Sequence, residues 1–287
     1  SVQLSRSSHL WIADSDRLSE LTQLTNGVGQ DDGISGVAWG PNGYVVYTKR
    51  VAGSQDIWSI DPNGRNNRQI TQKSGSNFHP AVSADGKTIV FTSDRAGSLD
   101  LWRMDFDGGN PIRMTELKEN ESQPILTSDG LWIIFRRSGN DGLSSVWKMP
   151  FSGGEPSQLL PAGSDRPQLS PDGKLIACEL TNADNGSKKI GIFSFDDGHE
   201  IGTYDYPAML STSNFRWSGD GKSFIFVNRL DGRFEVWSQP ISGGQARRLG
   251  DSIGDRIYAF DVSRNGKTMV FSRGTESSDV LIISGIR

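Results

Sequence analysis

His79, Gln123, Arg166 and Asn214 each stand six residues before the middle of a short turn that recurs along the chain, and Gly36 and Ala259 hold the same place before its other copies. One position earlier come Ser35, Phe78, Ser122, Asp165, Ser213 and Tyr258. An imidazole among carboxamides, a guanidinium, a carboxylate and a phenol could grip a peptide or a small polar ligand. The same groups could run a lyase or a metal-dependent hydrolase, with His79 as base or ligand and Asp165, Arg166 and Tyr258 assisting. One histidine beside one aspartate is thin for chemistry, so binding is the leading reading. The alternative is that these side chains only cap a channel and hold water.

A second set is cationic: Lys49-Arg50, Arg95, Arg136-Arg137, Arg229 and Arg273 follow a hydrophobic strand in five of six repeats. They could favour an anionic group or carboxylate. Asp31, Asp32, Asp94, Glu116, Glu119, Glu121 and Asp255 fall at the same end of their repeats, so solvated ion pairs are the competing reading. His9, His79 and His199 have no zinc-ligand spacing. Asp105-Phe106-Asp107 has oxygens two apart, but no twelve-residue calcium loop with a closing Glu follows, and a hairpin turn needs Asp-Gly anyway. There is no G-x-S-x-G elbow, and no Gly-rich loop opens a helix. Neither a cofactor, a resident metal nor a catalytic set is therefore expected.

The elements that must position these residues are short strands. The turn reads Pro41-Asn42-Gly43, Ala84-Asp85-Gly86, Ser128-Asp129-Gly130, Pro171-Asp172-Gly173, Gly219-Asp220-Gly221 and Arg264-Asn265-Gly266, at spacings of 43, 44, 43, 48 and 45 residues. After each comes an apolar strand: YVVYT, TIVFTS, LWIIFR, LIACEL, SFIFVN and TMVFSR. A strand centred on Trp58, Trp102, Trp147 or Trp237 follows in four units, with IGIFSF and DVLIIS in units four and six. A Gly-containing turn and a fourth, edge-like strand complete the first five units. Alternation and turn chemistry together make each unit a four-stranded antiparallel meander. The recurrent Trp is expected in the core between units, and Cys178, in mid-strand, as a small buried apolar residue.

The ends complement each other. HLWIAD with Trp11 and LTQLT supply third and fourth strands at the N-terminus, and the C-terminus supplies the strands before them. Joining the ends closes a ring and removes the exposed sheet edges. The fold expected is an all-β propeller of six blades, near 36–71, 79–115, 122–160, 166–204, 214–249 and 257–284, the last completed by 10–25, forming one domain over 1–287. Seven blades is the alternative, because Trp11 duplicates a third strand that DVLIIS already offers. In such a blade the first strand lines the central channel, so the entrance residues and the cations share one face.

The units SADGKTIVFTSDRAGSLDLWRMDFDGGNPIRMT and SPDGKLIACEL resemble the repeats of the TolB-type propeller family, across residues 10 to 283. The end of the chain is also similar to the C-terminal propellers of bacterial membrane-anchored serine/threonine kinases and winged-helix regulators. The resemblance implies a bacterial envelope or signalling setting, a periplasmic or extracytoplasmic location, and a protein or peptide partner. A cytoplasmic location stays open. It identifies fold better than function.

Bulk properties fit. With 22% charged and 34% hydrophobic residues and a net charge of −4, no nucleic-acid partner is expected, and no apolar run reaches the ~20 residues that span a membrane. The single Cys178 excludes an internal disulfide. Because Ser1 rather than Met opens the chain, a removed leader or an upstream domain is expected.

Overall fold

The computed structural model describes the backbone of residues 2–27, 29–51, 53–205 and 210–280, and their side chains outside 2–5, 210–214 and 277–280. All regular structure among the described residues is β. The chain opens with β1 (Val2–Asp14) and β2 (Thr22–Gln23). Blade one follows as β3 (Asp32–Trp39), β4 (Val45–Val51), β5 (Ser54–Ile60) and β6 (Arg68–Gln69). Blade two is β7 (Asn77–Val82), β8 (Thr88–Ser93), β9 (Asp100–Asp105) and β10 (Ile112–Arg113). Blade three is β11 (Glu121–Leu126), β12 (Trp132–Ser138), β13 (Ser144–Pro150) and β14 (Ser157–Leu160). Blade four is β15 (Ser164–Leu169), β16 (Leu175–Thr181), β17 (Lys188–Ser194) and β18 (Glu200–Asp205). Blade five is β19 (Leu210–Trp217), β20 (Ser223–Leu230), β21 (Arg233–Pro240) and β22 (Arg247–Leu249). Blade six takes β23 (Arg256–Val262) and β24 (Thr268–Val280) and borrows β1 and β2, in the order β2-β1-β24-β23.

Six four-stranded antiparallel sheets thus form a six-bladed propeller closed by both chain ends. The seven-blade alternative falls, for a local reason. The third-strand place beside β24 is filled by β1: β24 runs unbroken from Thr268 to Val280, and β1 pairs along it from Val2↔Val280 to Asp14↔Thr268. Asp279 and Val280 end that strand, and the rest of DVLIIS lies outside the described residues. Trp11 pairs with Phe271, as Trp58, Trp102, Trp147 and Trp237 pair with Tyr47, Phe91, Phe135 and Phe226.

Each of the six core clusters straddles two neighbouring blades. One joins Val46, Ile57 and Ile70 of blade one to Ile89, Phe91 and Met104 of blade two. The cluster that closes the ring joins Leu10, Leu24, Ala259 and Val270 to Val37, Val45, Tyr47 and Ile60. A second strand packed on both faces must be apolar throughout, which is why TIVFTS is buried over five consecutive residues. Burying a side chain such as Phe91, Phe135 or Phe271 contributes roughly 1.5–3 kcal/mol. The recurrent Trp is a correction. Trp58, Trp102 and Trp147 are only half-buried at the rims of these clusters, and the fully buried position belongs to the aromatic opposite them. Blade four has Gly191 against the buried Cys178, and a Cβ there would meet Phe193 and Leu180 side chains at 2.6 and 2.7 Å. Those two residues occupy the space an indole takes elsewhere.

The turns that mark the repeats are held by their own side chains. Ser83 Oγ donates to Asp85 Oδ1 (2.6 Å), the Lys87 N–H donates to the same oxygen (3.0 Å), and the Thr88 N–H donates to Ser83 Oγ (3.0 Å). Gly86 takes the positive φ (71°) that the turn requires. Thr127/Asp129, Ser170/Asp172 and Ser218/Asp220 repeat the arrangement. The hydroxyl and amide donors hold Asp85, Asp129, Asp172 and Asp220 below the usual carboxylate range. Asp105 and Asp107 likewise accept from Asn110 Nδ2 (2.7 Å) and the Gly109 N–H (3.0 Å), as the turn reading expects.

Candidate functional site: the mouth of the central channel

The inner strands line a cavity of about 290 Å³ on the propeller axis. Every inner strand breaks register near its start: between Phe78 and Ala81, Ser122 and Ile125, and Asp165 and Gln168 in blades two to four, with matching shifts in the other three. In those three blades the bulged residue has left-handed backbone: His79 at φ 48°, Gln123 at 56° and Arg166 at 53°. Each directly precedes a proline, Pro80, Pro124 or Pro167. Positive φ is uncommon for residues other than glycine, and such bulges re-aim a side chain. Here they turn three long polar side chains into the cavity wall.

On the other half of the ring, the entrance residues whose side chains are described, Gly36 (φ 141°) and Ala259, are small. A Cβ on Gly36 would meet Pro80 Cδ at 2.9 Å and His79 Cα at 3.0 Å, so only glycine lets blades one and two approach this closely. The side chain of Asn214 lies outside the described residues. Two residues further along each strand is a deeper tier: Ala38, Ala81, Ile125, Gln168, Arg216 and Asp261. Asp261 accepts from Arg216 Nε (2.9 Å, Oδ1) and from the Trp39 N–H (2.9 Å, Oδ2), tying blade five to six to one. This tier escaped the sequence reading. Stepping on by two, the period of a strand, would have found it.

Ser35 also lines the cavity, and the other expected residues whose side chains are described surround the mouth without lining it. Phe78 lies beside the His79 ring, their centroids 6.3 Å apart. Asp165 takes Arg136 Nε at 2.9 Å, from blade three to blade four, and accepts from the Arg166 N–H (2.8 Å). Tyr258 donates to the Thr275 carbonyl (3.2 Å), with Arg256 over its ring. The cations are mostly engaged. Lys49 stacks on Trp58, Arg95 on Trp102, Arg137 on Trp147 and Arg273 on Trp11, at 4.5 to 5.1 Å from the ring centroids. Arg95 also donates to Asn77 Oδ1 (2.8 Å), Arg137 to Glu119 (2.5 Å) and Arg273 to Asp255 (3.0 Å), while Arg229 lies 5.7 Å from the Phe234 centroid. Stacks of this kind contribute about 0.5–2 kcal/mol each. The face is therefore laced with local pairs.

Two displaced pKa values bear on this end of the propeller. Burial, and then the charges of Arg136 and Arg166, push His79 down to about 4. Burial pushes Glu121 up to about 7, against the opposing hydroxyl of Thr115. Glu121 takes the place in blade three that Asn77 takes in blade two, where the amide donates to Thr71 Oγ1 (3.3 Å) and the Gln55 carbonyl (3.2 Å) of the preceding blade. Among the described residues no three His, Cys, Asp or Glu side chains converge as a metal site would require.

The family model of the TolB β-propeller domain matches residues 17–197. The chain belongs to the TolB-type β-propeller family. TolB from Acinetobacter baumannii is 18% identical over 93% of this chain, with a TM-score of 0.65; the chain spans 65% of that protein's length. A putative TolB from Agrobacterium tumefaciens is 16% identical, with 94% of this chain and 99% of that one covered and a TM-score of 0.73. A chain of a nidogen–laminin complex is 11% identical, with 85% and 94% covered and a TM-score of 0.63. At these identities the likeness is one of fold. No curated protein matches the sequence.

Proposed function

We propose that this propeller is a non-enzymatic binding module, a sensor or scaffold domain working outside the cytoplasm, which receives a segment of a protein partner at its channel mouth. The observation that carries this reading is the asymmetry of the mouth. His79, Gln123 and Arg166 are aimed inward by strained bulges on one side, and Gly36 and Ala259, the described entrance residues on the other, are small. Strain of this kind costs of order 1–3 kcal/mol per residue and persists where surrounding structure over-determines it, as at ligand clamps. A rigid ring with variable loops is a frame for recognition. The structural likeness to TolB proteins and to a chain solved in a nidogen–laminin complex supports a protein partner, and the family supports the extracytoplasmic setting.

The test is site-specific photo-crosslinking in the producing cell. A crosslinker at Gln123 is expected to capture a discrete partner that excess unlabelled propeller competes away, while one at Lys222, on the turn face, captures none. Capture from Lys222 alone would move the site to the other face. Turnover in lyase or hydrolase screens that disappears in His79→Ala would replace this reading with an enzymatic one.

A further inference from the structure

The charges around the mouth do not cancel, and the imbalance has a location. Arg136 is matched to Asp165 (2.9 Å), which also takes the Arg166 backbone N–H. The buried Glu179 is matched to Lys188 (2.5 Å). The Arg166 guanidinium is the most loosely paired of these cations: it forms only a long ion pair (3.6 Å) with Glu179 Oε1, the oxygen that Lys188 already holds, and 30% of its side chain is exposed. Its backbone bulge places it in the cavity wall beside Gln123 and His79. His79 Nδ1 is buried without a hydrogen-bond partner among the described residues. The mouth therefore holds a loosely paired planar cation, a carboxamide and an imidazole side by side. The low pKa of His79 reports the same positive field from Arg136 and Arg166, on top of its burial.

We propose that the channel mouth takes a carboxylate, the side chain of an acidic residue in the bound segment, on the Arg166 guanidinium with Gln123 and His79 beside it. This rests on the binding reading above and names its chemistry. A guanidinium presents parallel N–H donors that match a carboxylate's two oxygens. One surplus positive charge suits a monoanion. A phosphate dianion would meet the nearby carboxylates of Asp165 and Glu179 with only that single charge to offset them. The side with the small residues Gly36 and Ala259 admits the segment's backbone.

The experiment uses two blocked tripeptides of one shape, acetyl-Gly-Glu-Gly-amide and acetyl-Gly-Gln-Gly-amide, titrated into the isotope-labelled chain while backbone amide shifts are followed. The Glu peptide is expected to shift the amides of Gly36, Gln123 and Arg166 saturably and to bind at least about tenfold more tightly than the Gln peptide. Arg166→Gln should abolish that preference and Arg166→Lys should keep part of it, with melting curves confirming that each variant is folded. Equal binding of both peptides at these amides overturns the carboxylate assignment and leaves the channel-mouth reading standing. Saturable shifts confined to outer blade edges overturn both. No saturable shift with the Glu peptide at ~10 mM overturns the carboxylate assignment, even if Arg166→Gln fails to fold.

Discussion

In the deeper tier of the channel, Arg216, Asp261 and the Trp39 amide satisfy one another across three blades; two residues higher, His79, Gln123 and Arg166 line the channel mouth without pairing to one another. Both tiers stand on the same six strands and differ in where polar residues fall around the ring. Below, they stand side by side on blades four to six, so the cation and carboxylate meet and the seam where the ring closes is locked. Above, among the residues whose side chains are described, they stand on blades two to four with no carboxylate among them, and blades one and six carry Gly36 and Ala259. Adjacent complementary groups make a scaffold, whereas unmatched groups facing small residues make a receptacle.

Breaking the lower tier should have the largest effect on stability. Asp261→Ala strands the Arg216 guanidinium and the Trp39 amide at the closing seam, and urea denaturation should register a loss of about 2–3 kcal/mol. Peptide binding at the mouth should survive. If Asp261→Ala abolished binding in a folded protein, the two tiers would not be separable.

Gly36→Ala strikes the small-residue side of the upper tier. With φ at 141° and contacts at 2.9 and 3.0 Å, the methyl group must push His79 and Pro80 aside, at a cost of about 1–3 kcal/mol, and the His79 resonances should move. A stability change below ~0.5 kcal/mol would mean that the close approach of blades one and two is easily relaxed.

Titration sharpens the contrast between buried polar sites. The folded-state pKa of Glu121 is raised, so its protonated form is favoured by folding. Stability from this group is present below its ordinary value and is lost as pH rises toward 7. Glu121→Gln, which mimics Asn77 of the neighbouring blade, should flatten that fall by on the order of 2 kcal/mol between pH 4.5 and 7 in denaturation curves. A slope identical to the parent chain's would place the ionisation elsewhere. His79 runs the other way. Its lowered pKa favours the neutral ring, and the corresponding stability is lost as pH falls through about 4. Its NMR titration should lie well below the usual histidine range and move up in Arg166→Gln.

The smallest effect belongs to Arg166 itself. Because its ion pair with Glu179 is long and Lys188 holds the same oxygen, Arg166→Gln should change stability by less than ~0.5 kcal/mol while removing the preference for the Glu peptide. A loss above ~2 kcal/mol would make it a structural partner of Glu179.

The periodicity of Asp-Gly turns and apolar strands determined the propeller by itself, because turn chemistry and burial on both faces are written locally in each repeat. A constant offset from a turn is a constant place on a strand, and Gly36, His79, Gln123, Arg166 and Ala259, picked by that offset, line the channel mouth. The sequence hinted at the bulges too: in blades two to four the entrance residue is followed by Pro80, Pro124 or Pro167. Only the tertiary structure could decide which charges are spent. Lys49, Arg95, Arg137 and Arg273 look alike in sequence to the cation at the mouth, but each stacks on an indole from its own blade. Arg136 meets its carboxylate across a blade boundary, and Arg216 meets Asp261 across another, forty-five residues away. Electrostatic matching depends on distances of a few ångströms between different repeats, and no offset along the chain encodes them. Blade count turned on the same kind of fact. Trp11 and DVLIIS compete for one place in the sequence, and the unbroken pairing of β1 with β24 gives that place to Trp11.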